Sequence, residues 1–359
     1  MKGGDLRLKG LQEDQVFIGP ETVHIDVTNA CNTNCVTCWD HSPHLRQARS
    51  SWWKRQKVEA SAVSQLLDDI HSLGGLKAII LSGMGEPFTH PEIYEMITDV
   101  KRRGLHLTVI TNLLAADPQR IIDLGVDALL IGVQGASKAS YQAFHPSFQS
   151  DEWERMLRAL ELFAQAGRRD KHVQVICRHN AHELVAMIQL AQRYCASQVN
   201  FKLASLKEGT EAVALQPEQR AALLRGGIEQ ARAEASRLGV TTNLAVFERQ
   251  LGSGGLDTAP IGEIGCYLGH YYSRVTVDGT VLYCCNVEVK VGSLREQPFS
   301  ALWNGPSWNA LRQRLRRGDY FPGCHQCGKV NQNVKIGQRF ATLFGEQRRR
   351  EITGCAGEP

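Results

Sequence analysis

The chain has 359 residues, more than one typical domain requires, and its 43% hydrophobic and 22% charged content is ordinary for a soluble globular protein. A formal net charge of +4 is too weak to indicate nucleic acid or a membrane surface as a partner. The first ten residues lack the apolar core of a signal peptide and no segment reaches the length of a membrane span, so a cytoplasmic location is expected.

Candidate strands and amphipathic helices alternate along the first 204 residues. The helical segments repeat apolar residues at i, i+3, i+4 and i+7, which is the pattern of a helix with one buried face. The candidate strands cover residues 23–28, 76–83, 106–112, 126–135, 172–178 and 198–204. This alternation predicts an α/β fold with a parallel sheet and right-handed crossovers, and by itself it fits a partial barrel or a doubly wound sheet.

In a cytoplasmic chain the eleven cysteines are better interpreted as cluster ligands, redox groups or buried thiols than as a disulfide framework. Cys31, Cys35 and Cys38 follow the first strand in a C-x3-C-x2-C array. Three thiolates on one loop can hold three irons of a [4Fe-4S] cluster and leave the fourth iron open. The alternative is a zinc site completed by His41 and His44, although structural zinc sites usually take four ligands in paired groups.

The cysteine spacing resembles that of the radical S-adenosylmethionine (radical SAM) superfamily. The resemblance implies a partial (β/α)6 TIM-like barrel, with S-adenosylmethionine bound to the open iron at the C-terminal ends of the strands. It also implies an external one-electron reductant of the flavodoxin or ferredoxin type. The expected chemistry is hydrogen abstraction from the substrate by a 5′-deoxyadenosyl radical.

A second motif follows the second strand, where Gly85, Glu86 and Pro87 resemble the family's Gly-Gly-Glu-Pro element, with Met84 in place of the first glycine. A glycine-rich strand end lets the backbone approach the methionyl part of the cofactor, and a carboxylate accepts hydrogen bonds from its ammonium group.

Polar residues at the ends of later strands resemble further cofactor contacts of the family, with ordinary turn chemistry or surface exposure as the alternative. They are Thr111, Asn112, Gln134 and Arg178. The family usually carries an aromatic residue before the third cysteine, whereas this chain has Thr37, so Trp39 or His41 is expected to contact the adenine.

Residues 205–262 are predicted to form a long helix over 217–239, a short strand over 241–247 and a Gly-rich connector over 251–262. Such a connector indicates a domain boundary. The predicted organisation is an N-terminal extension 1–22, a barrel 23–250, a C-terminal module 251–335 and a basic tail 336–359.

A second group of cysteines, Cys266, Cys284, Cys285, Cys324 and Cys327, lies in the C-terminal part. A DGT turn there predicts a β-hairpin, and residues 306–317 predict a helix. With Gly279, the group resembles the SPASM/twitch module of many radical SAM enzymes. The resemblance implies one auxiliary [4Fe-4S] cluster with four ligands, and a four-thiolate zinc site is the alternative. The predicted ligands are Cys266, Cys284, Cys324 and Cys327, with Cys285 as a replacement for Cys284.

The expected substrate is a peptide or a small natural-product molecule, which undergoes net oxidation by dehydrogenation or cross-linking. A redox-neutral epimerase is the second hypothesis, with Cys177, Cys285 or Cys355 as hydrogen donor, whereas Cys195 is expected in the core. A non-catalytic metal-binding scaffold, which contacts a partner through the basic segment around Trp52 and Trp53, is the third.

Overall fold

The computed structural model describes residues 3–255 and 259–354. Its strands form a ten-stranded sheet in the order β10-β9-β8-β1-β2-β3-β4-β5-β6-β7. The strands are β1 (Thr22–Asp26), β2 (Ala78–Ser82), β3 (His106–Thr111), β4 (Ala128–Gly132), β5 (Lys171–Ile176), β6 (Gln198–Leu203), β7 (Thr241–Thr242), β8 (Tyr272–Val275), β9 (Thr280–Leu282) and β10 (Lys290–Ser293).

The helices lie mainly between the strands. They are α1 (Gly3–Glu13), α2 (Ser51–Lys54), α3 (Ala60–Ser72), α4 (Ile93–Arg102), α5 (Pro118–Asp123), α6 (Lys138–Phe144), α7 (Glu152–Gln165), α8 (Leu184–Arg193), α9 (Pro217–Ala222), α10 (Ile228–Leu238), α11 (Leu244–Gly252), α12 (Ile261–Ile264), α13 (Phe299–Asn304), α14 (Pro306–Arg316), α15 (Val330–Phe344) and α16 (Glu346–Thr353). Each of the six predicted strands is present, and β1 to β6 pair in parallel with their sequence neighbours. The predicted partial (β/α)6 barrel is therefore confirmed.

One face of β1 is apolar and the other is polar, because successive side chains along a strand point to opposite sides. Val23 and Ile25 are buried in one apolar cluster with Leu67 and Ile70 of α3. Each side chain buried in this way contributes about 1.5–3 kcal/mol to folding. His24 and Asp26 occupy the other face, which lines the inside of the barrel.

The C-terminal module joins the same sheet, an arrangement that the sequence does not predict. β8 pairs in parallel with β1, and β9 returns antiparallel to β8, which confirms the predicted hairpin. Gly279 occupies the hairpin turn with a φ of +84°, a region that glycine adopts without strain. The predicted helix over 306–317 is confirmed as α14.

Three expectations need correction. Residues 241–247 form a strand only at Thr241–Thr242, and α11 follows, because Leu244, Phe247 and Leu251 are buried on one helical face. The helix over 217–239 is interrupted by a π-helical turn at Leu223–Gly227. Cys195 is exposed and is not part of the core.

The predicted basic tail is largely helical in the described residues, since α15 and α16 cover most of it. These helices pack with α1 around an apolar cluster of Leu8, Leu11, Tyr267, Tyr271, Ile336, Phe340 and Ile352. The two ends of the described chain therefore pack together against Tyr267 and Tyr271 of the C-terminal module.

Candidate active site

The three cysteines of the first motif lie on the loop after β1, at the C-terminal edge of the sheet. Burial raises the pKa of the Cys31 thiol to about 12, and it raises the pKa values of Cys35 and Cys38 in the same direction. The charges of Cys38 and Cys31 raise the pKa of Cys35 further. The three thiols therefore face one another, and each would need a metal or cluster to hold it as a thiolate at neutral pH.

The cysteine loop is tied to the segment after β4. The amide of Val36 donates to the carbonyl of Phe144 at 3.0 Å, and the amide of Ser147 donates to Asn34 Oδ1 at 2.8 Å. Within the loop, the amide of Cys38 donates to the carbonyl of Cys35 at 3.0 Å. These bonds fix the backbone of the loop that carries the three thiols.

The Gly-Glu-Pro motif packs directly on the start of the cysteine loop. A Cβ atom at Gly85 would lie 1.9 Å from the carbonyl oxygen of Ala30, so only glycine fits at this position. The next amide, that of Glu86, donates to the same oxygen at 2.8 Å. The close approach of the second strand end to the loop thus explains why this motif and the cysteines occur together.

Glu86 is buried, and its carboxylate accepts hydrogen bonds from Thr111 Oγ1 at 2.6 Å and from the amide of Asn112 at 2.7 Å. Burial raises the pKa of Glu86 to about 7, against the opposing effect of these donors. Asn112 in turn donates from Nδ2 to Asn32 Oδ1 at 2.8 Å. Glu86, Thr111 and Asn112 therefore brace the ends of β2 and β3 against the cysteine loop.

The two remaining strand-end residues lie in different settings. The side-chain oxygen of Gln134 accepts a hydrogen bond from the amide of Val175 at 2.6 Å and so bridges the ends of β4 and β5. Arg178 follows β5 with an exposed side chain. Both residues lie at the expected edge of the sheet, and a cofactor contact by either of them stays a prediction.

The two candidates for the adenine contact differ in burial. Trp39 is 39% exposed and donates from Nε1 to the carbonyl of Ser205 at 2.6 Å. The ammonium nitrogen of Lys207 lies 4.0 Å from the centre of its ring. His41 packs on Trp53, with its ring centre 5.9 Å from that of the tryptophan, and its Nε2 is buried with no partner among the described residues. Which of the two contacts the adenine stays a prediction.

The second cysteine group lies beside the sheet, where Cys266, Cys284 and Cys324 pack against the main apolar cluster. Burial raises the pKa values of Cys266 and Cys324, and it raises the pKa of Cys327 to about 12. The pKa of Cys284 is raised by its hydrogen bond to Cys285 and by burial. The charges of Cys327 and Cys324 raise the pKa of Cys266 further, and the charge of Cys266 raises that of Cys284. The four predicted ligands are therefore close together, along with Cys285.

One local contact distinguishes Cys284 from Cys285. The backbone amide two residues further along the chain donates to the thiol at Cys31, Cys38, Cys266, Cys284 and Cys327. The thiol of Cys285 instead receives the amide of Gly328. Amide donors of this kind stabilise sulfur bound to iron. Cys177, which is not a predicted ligand, receives the same kind of amide from His179, so the choice between Cys284 and Cys285 stays a prediction.

The donor set of both groups consists of thiols, which are the ligands of iron-sulfur clusters. Within residues 3–255 and 259–354, no group of three or more His, Cys, Asp or Glu side chains has the geometry for a single metal ion. Thiolates that hold a cluster bind different irons and do not converge on one ion. The thiols present therefore fit a three-ligand and a four-ligand cluster.

A cavity of ≈ 1120 Å³ extends between the barrel and the second cysteine group. Its barrel side includes Asp26, Trp39 and Met84, and its module side includes Arg274 and Cys285. The four predicted ligands of the second group also line it. A molecule in this cavity would thus lie next to the second cysteine group and to the ends of β1 and β2.

The structure adds a polar network that the sequence analysis missed. Arg274 of β8 donates to both carboxylate oxygens of Asp26 over distances of 2.8 to 3.1 Å. His24 Nδ1 lies 2.9 Å from the hydroxyl of Tyr272. Burial raises the pKa of Asp26 and lowers that of His24. The alternation of polar and apolar residues in β1 was a signal for His24 and Asp26, but nothing in the sequence links them to β8.

The hydrogen-donor candidates are separated by the fold. Cys177 is buried under the cysteine loop in a small cluster with Val36, Phe144 and Val213, and burial raises its pKa to about 11. Cys285 lines the cavity. Cys355 lies outside the described residues.

None of the helices in the described part of the chain is long and apolar enough to cross a membrane.

Comparisons with known proteins agree with this geometry. Residues 25–191 match the model of the radical SAM superfamily, and residues 266–328 match that of the SPASM iron-sulfur cluster-binding domain. The AdoMet-dependent heme synthase of Methanosarcina barkeri is 24% identical over 307 residues, which cover 82% of this chain and 85% of that protein.

Two solved structures share the fold. Streptococcus suis SuiB bound to the precursor peptide SuiA matches with a TM-score of 0.62 at 15% identity. The match covers 92% of this chain and 73% of the SuiB chain. Native anSMEcpe with bound AdoMet matches with a TM-score of 0.62 at 14% identity. The match covers 93% of this chain and 100% of the anSMEcpe chain. The chain therefore carries a radical SAM domain and a C-terminal SPASM domain, which imply S-adenosylmethionine, a [4Fe-4S] cluster and auxiliary iron-sulfur binding as its cofactor chemistry.

Proposed function

We propose that the chain is a radical SAM oxidoreductase that abstracts a hydrogen atom from a peptide or natural-product substrate and completes a two-electron oxidation. The observation that carries the proposal is the cavity of ≈ 1120 Å³, because it borders both the barrel mouth and the second cysteine group. In the oxidation the substrate would lose one hydrogen atom, one further electron and one proton. The product would be a dehydrogenated or cross-linked molecule.

The cysteine loop provides the initiating chemistry in this proposal. When bound to Cys31, Cys35 and Cys38, the cluster supplies the electron that cleaves S-adenosylmethionine to a 5′-deoxyadenosyl radical. The protein residues position this reaction. Glu86 fixes the ends of β2 and β3, and the glycine before it lets the strand end approach the loop. An external flavodoxin or ferredoxin would provide the electron.

The second cysteine group would provide the electron acceptor. Cys266, Cys284, Cys324 and Cys327 would occupy all four irons of a [4Fe-4S] cluster, so no iron would be open to the substrate. Their position along the cavity wall supports an acceptor next to the bound substrate. A saturated cluster at that place supports electron transfer rather than direct ligation of the substrate.

Two kinds of substrate have support among the relatives. SuiB, which shares the fold, is bound to a precursor peptide in its solved structure, and the relative that is 24% identical is a synthase of heme. The size of the cavity admits a drug-sized molecule or a short peptide segment.

The proposal is tested on anaerobically reconstituted protein. We expect about eight irons per chain from two [4Fe-4S] clusters, and 5′-deoxyadenosine formation with a strong reductant. Replacing Cys324 and Cys327 with alanine should halve the iron content, retain 5′-deoxyadenosine formation and abolish the oxidised product. Cys195→Ala, at an exposed thiol, is the matched control and should change none of the three. Oxidised product at the normal rate from the double variant would contradict the acceptor role.

Redox-neutral epimerisation is the second candidate, because the thiol of Cys285 lines the cavity. The reaction in deuterated water separates the two functions. Incorporation of one solvent deuterium at a carbon stereocentre of the recovered substrate would indicate epimerisation. An oxidised product without such deuterium would indicate the oxidoreductase.

A further inference from the structure

The segment that follows the cysteine loop, residues 41–58, has a concentration of positive charge. It contains five lysine and arginine residues and no aspartate or glutamate, in a chain whose net charge is +4. Lys54 is half-buried and the other four side chains are exposed. The five cations are Arg46, Arg49, Lys54, Arg55 and Lys57.

Most of these cations have no carboxylate partner. Arg49 Nε lies 2.7 Å from Asp40 Oδ1, and Arg46 lies 3.9 Å from Glu211, where both side chains are exposed. Within the described part of the chain, the three cations of residues 54–57 form no ion pair. These three residues therefore form a strip of uncompensated charge at the surface.

The basic run near the C-terminus is different. Its arginines, residues 348–350, each form an ion pair with Glu346 or Glu351. The positive charge of that run is therefore balanced locally, and the charge of residues 54–57 is not.

The strip lies beside the start of the cysteine loop. The amide of Asn29 donates to the carbonyl of Gln56 at 3.0 Å. Thr28, one residue earlier, pairs with Lys57 in an antiparallel bridge. Because both contacts are made just before Cys31, the strip is fixed next to the backbone that enters the first cluster site.

The end of the cysteine loop is joined to the same segment. The amide of Asp40 donates to the thiol of Cys38 at 3.5 Å, and its carboxylate accepts from Arg49 Nε at 2.7 Å. The guanidinium of Arg49 lies 5.1 Å from the ring centre of Trp53. A short series of direct contacts thus connects a predicted cluster ligand with the exposed segment, which suits electron transfer from a protein bound there.

The segment also separates this surface from the cavity. Arg49 and Trp53 are among the residues that line the cavity, whereas Lys54, Arg55 and Lys57 are not. A partner bound to the strip would therefore not need to enter the space assigned to the substrate.

We propose that the cationic strip, formed by Lys54, Arg55 and Lys57, docks an acidic electron-carrier protein of the flavodoxin type. Complementary charges steer two proteins together and fix their orientation. The flavodoxin hydroquinone gives up one electron and becomes the semiquinone. That electron breaks the C5′–S bond of S-adenosylmethionine into methionine and the 5′-deoxyadenosyl radical. The inference rests on the proposed function and deepens it, because it gives the external reductant a place on this chain.

The test compares two reductants on anaerobically reconstituted protein with S-adenosylmethionine and without substrate. One is flavodoxin photoreduced to its hydroquinone, and the other is dithionite, which needs no docking surface. In Arg55→Glu combined with Lys57→Glu, the flavodoxin-driven rate of 5′-deoxyadenosine formation at low ionic strength should fall about tenfold. The dithionite-driven rate should stay at the wild-type value. An unchanged flavodoxin-driven rate, or an equal fall with both reductants, would overturn the proposal.

Lys335→Glu combined with Arg339→Glu is the matched control, because it makes the same change of charge at two exposed side chains of α15. It should leave both rates unchanged, and a similar fall of the flavodoxin-driven rate would show that net charge governs the reaction. Added salt should slow the flavodoxin-driven reaction of the wild type severalfold and that of the strip variant much less, because salt screens exposed charges. An equal salt dependence in the two proteins would refute the role of the strip.

Cross-linking locates the contact directly. A carbodiimide joins a lysine amine to a carboxylate that touches it, with loss of water. Peptide mass spectrometry should find Lys54 or Lys57 joined to flavodoxin, and cross-links mainly at Lys335 would place the docking surface elsewhere. Failure of dithionite to support 5′-deoxyadenosine formation would count against the proposed function, whereas these results bear on the docking surface alone.

Discussion

Replacing Arg274 with methionine should destabilise the protein, because it leaves the carboxylate of Asp26 buried without its partner. Asp26 is fully buried, the Arg274 side chain is 12% exposed, and they are joined by bonds of 2.8 to 3.1 Å. Breaking such a pair costs about 3–5 kcal/mol. With an unfolding entropy of about 2.1 cal/mol/K per residue, a chain of this length should lose roughly 5 °C in Tm.

The assay is thermal unfolding of the reconstituted protein, followed by circular dichroism. Asp26→Asn combined with Arg274→Met should recover most of the lost Tm, since the double variant has no uncompensated charge. The matched control is Arg232→Met, whose guanidinium binds Glu229 and Glu248 on the surface, and its Tm should not change measurably.

The dependence on pH gives a further check. Burial raises the pKa of Asp26 in the folded protein above its ordinary value, although Arg274 opposes this. A carboxyl group of this kind favours folding when protonated, so its contribution to stability falls as the pH rises through the folded pKa. Without Arg274 that pKa rises further. The Tm difference between wild type and Arg274→Met should therefore be larger at about pH 8.5 than at about pH 6.

Two outcomes would refute this reasoning. The first is an Arg274→Met protein whose Tm lies within about 1 °C of wild type at neutral pH, where roughly 5 °C is expected. The second is a double variant no more stable than the single one, because the loss would then come from packing rather than from the uncompensated carboxylate.

Three further predictions concern the two cysteine sites. Gly85→Ala should displace the cysteine loop and lower both the iron content and 5′-deoxyadenosine formation, whereas Gly262→Ala, where a Cβ meets nothing within 4 Å, should change neither. In the wild type, Tm should fall between about pH 4.5 and 7, because Glu86, whose folded pKa is raised to about 7, loses its stabilising protonated form over that range. Glu86→Gln should make this fall smaller, and an unchanged slope would show that another group titrates there. The Cys284→Ser variant should lose the irons of the auxiliary cluster, whereas the Cys285→Ser variant should keep them. Electron paramagnetic resonance and iron analysis measure both, and the reverse result would identify Cys285 as the ligand.

Much of the barrel is predictable because it rests on local patterns. Short apolar runs between amphipathic helices located β1 to β6. The C-x3-C-x2-C spacing located the first cluster site, because three ligands on one loop need no distant pairing. Where two local patterns compete, the sequence misleads. Residues 241–247 combine β-branched and aromatic residues with a helical repeat, and burial of Leu244 and Phe247 against β6 decides for a helix.

By itself the sequence determined the α/β class, the six strands of the barrel, the two groups of cysteines and the motif at Gly85. These features depend on residues close together in the chain. Only the tertiary structure decided how the C-terminal module meets the barrel, because the pairing of β8 with β1 brings Asp26 and Arg274 together from 248 residues apart. The same pairing brings His24 beside Tyr272. This polar network inside the barrel arises from contacts between segments that no local pattern connects.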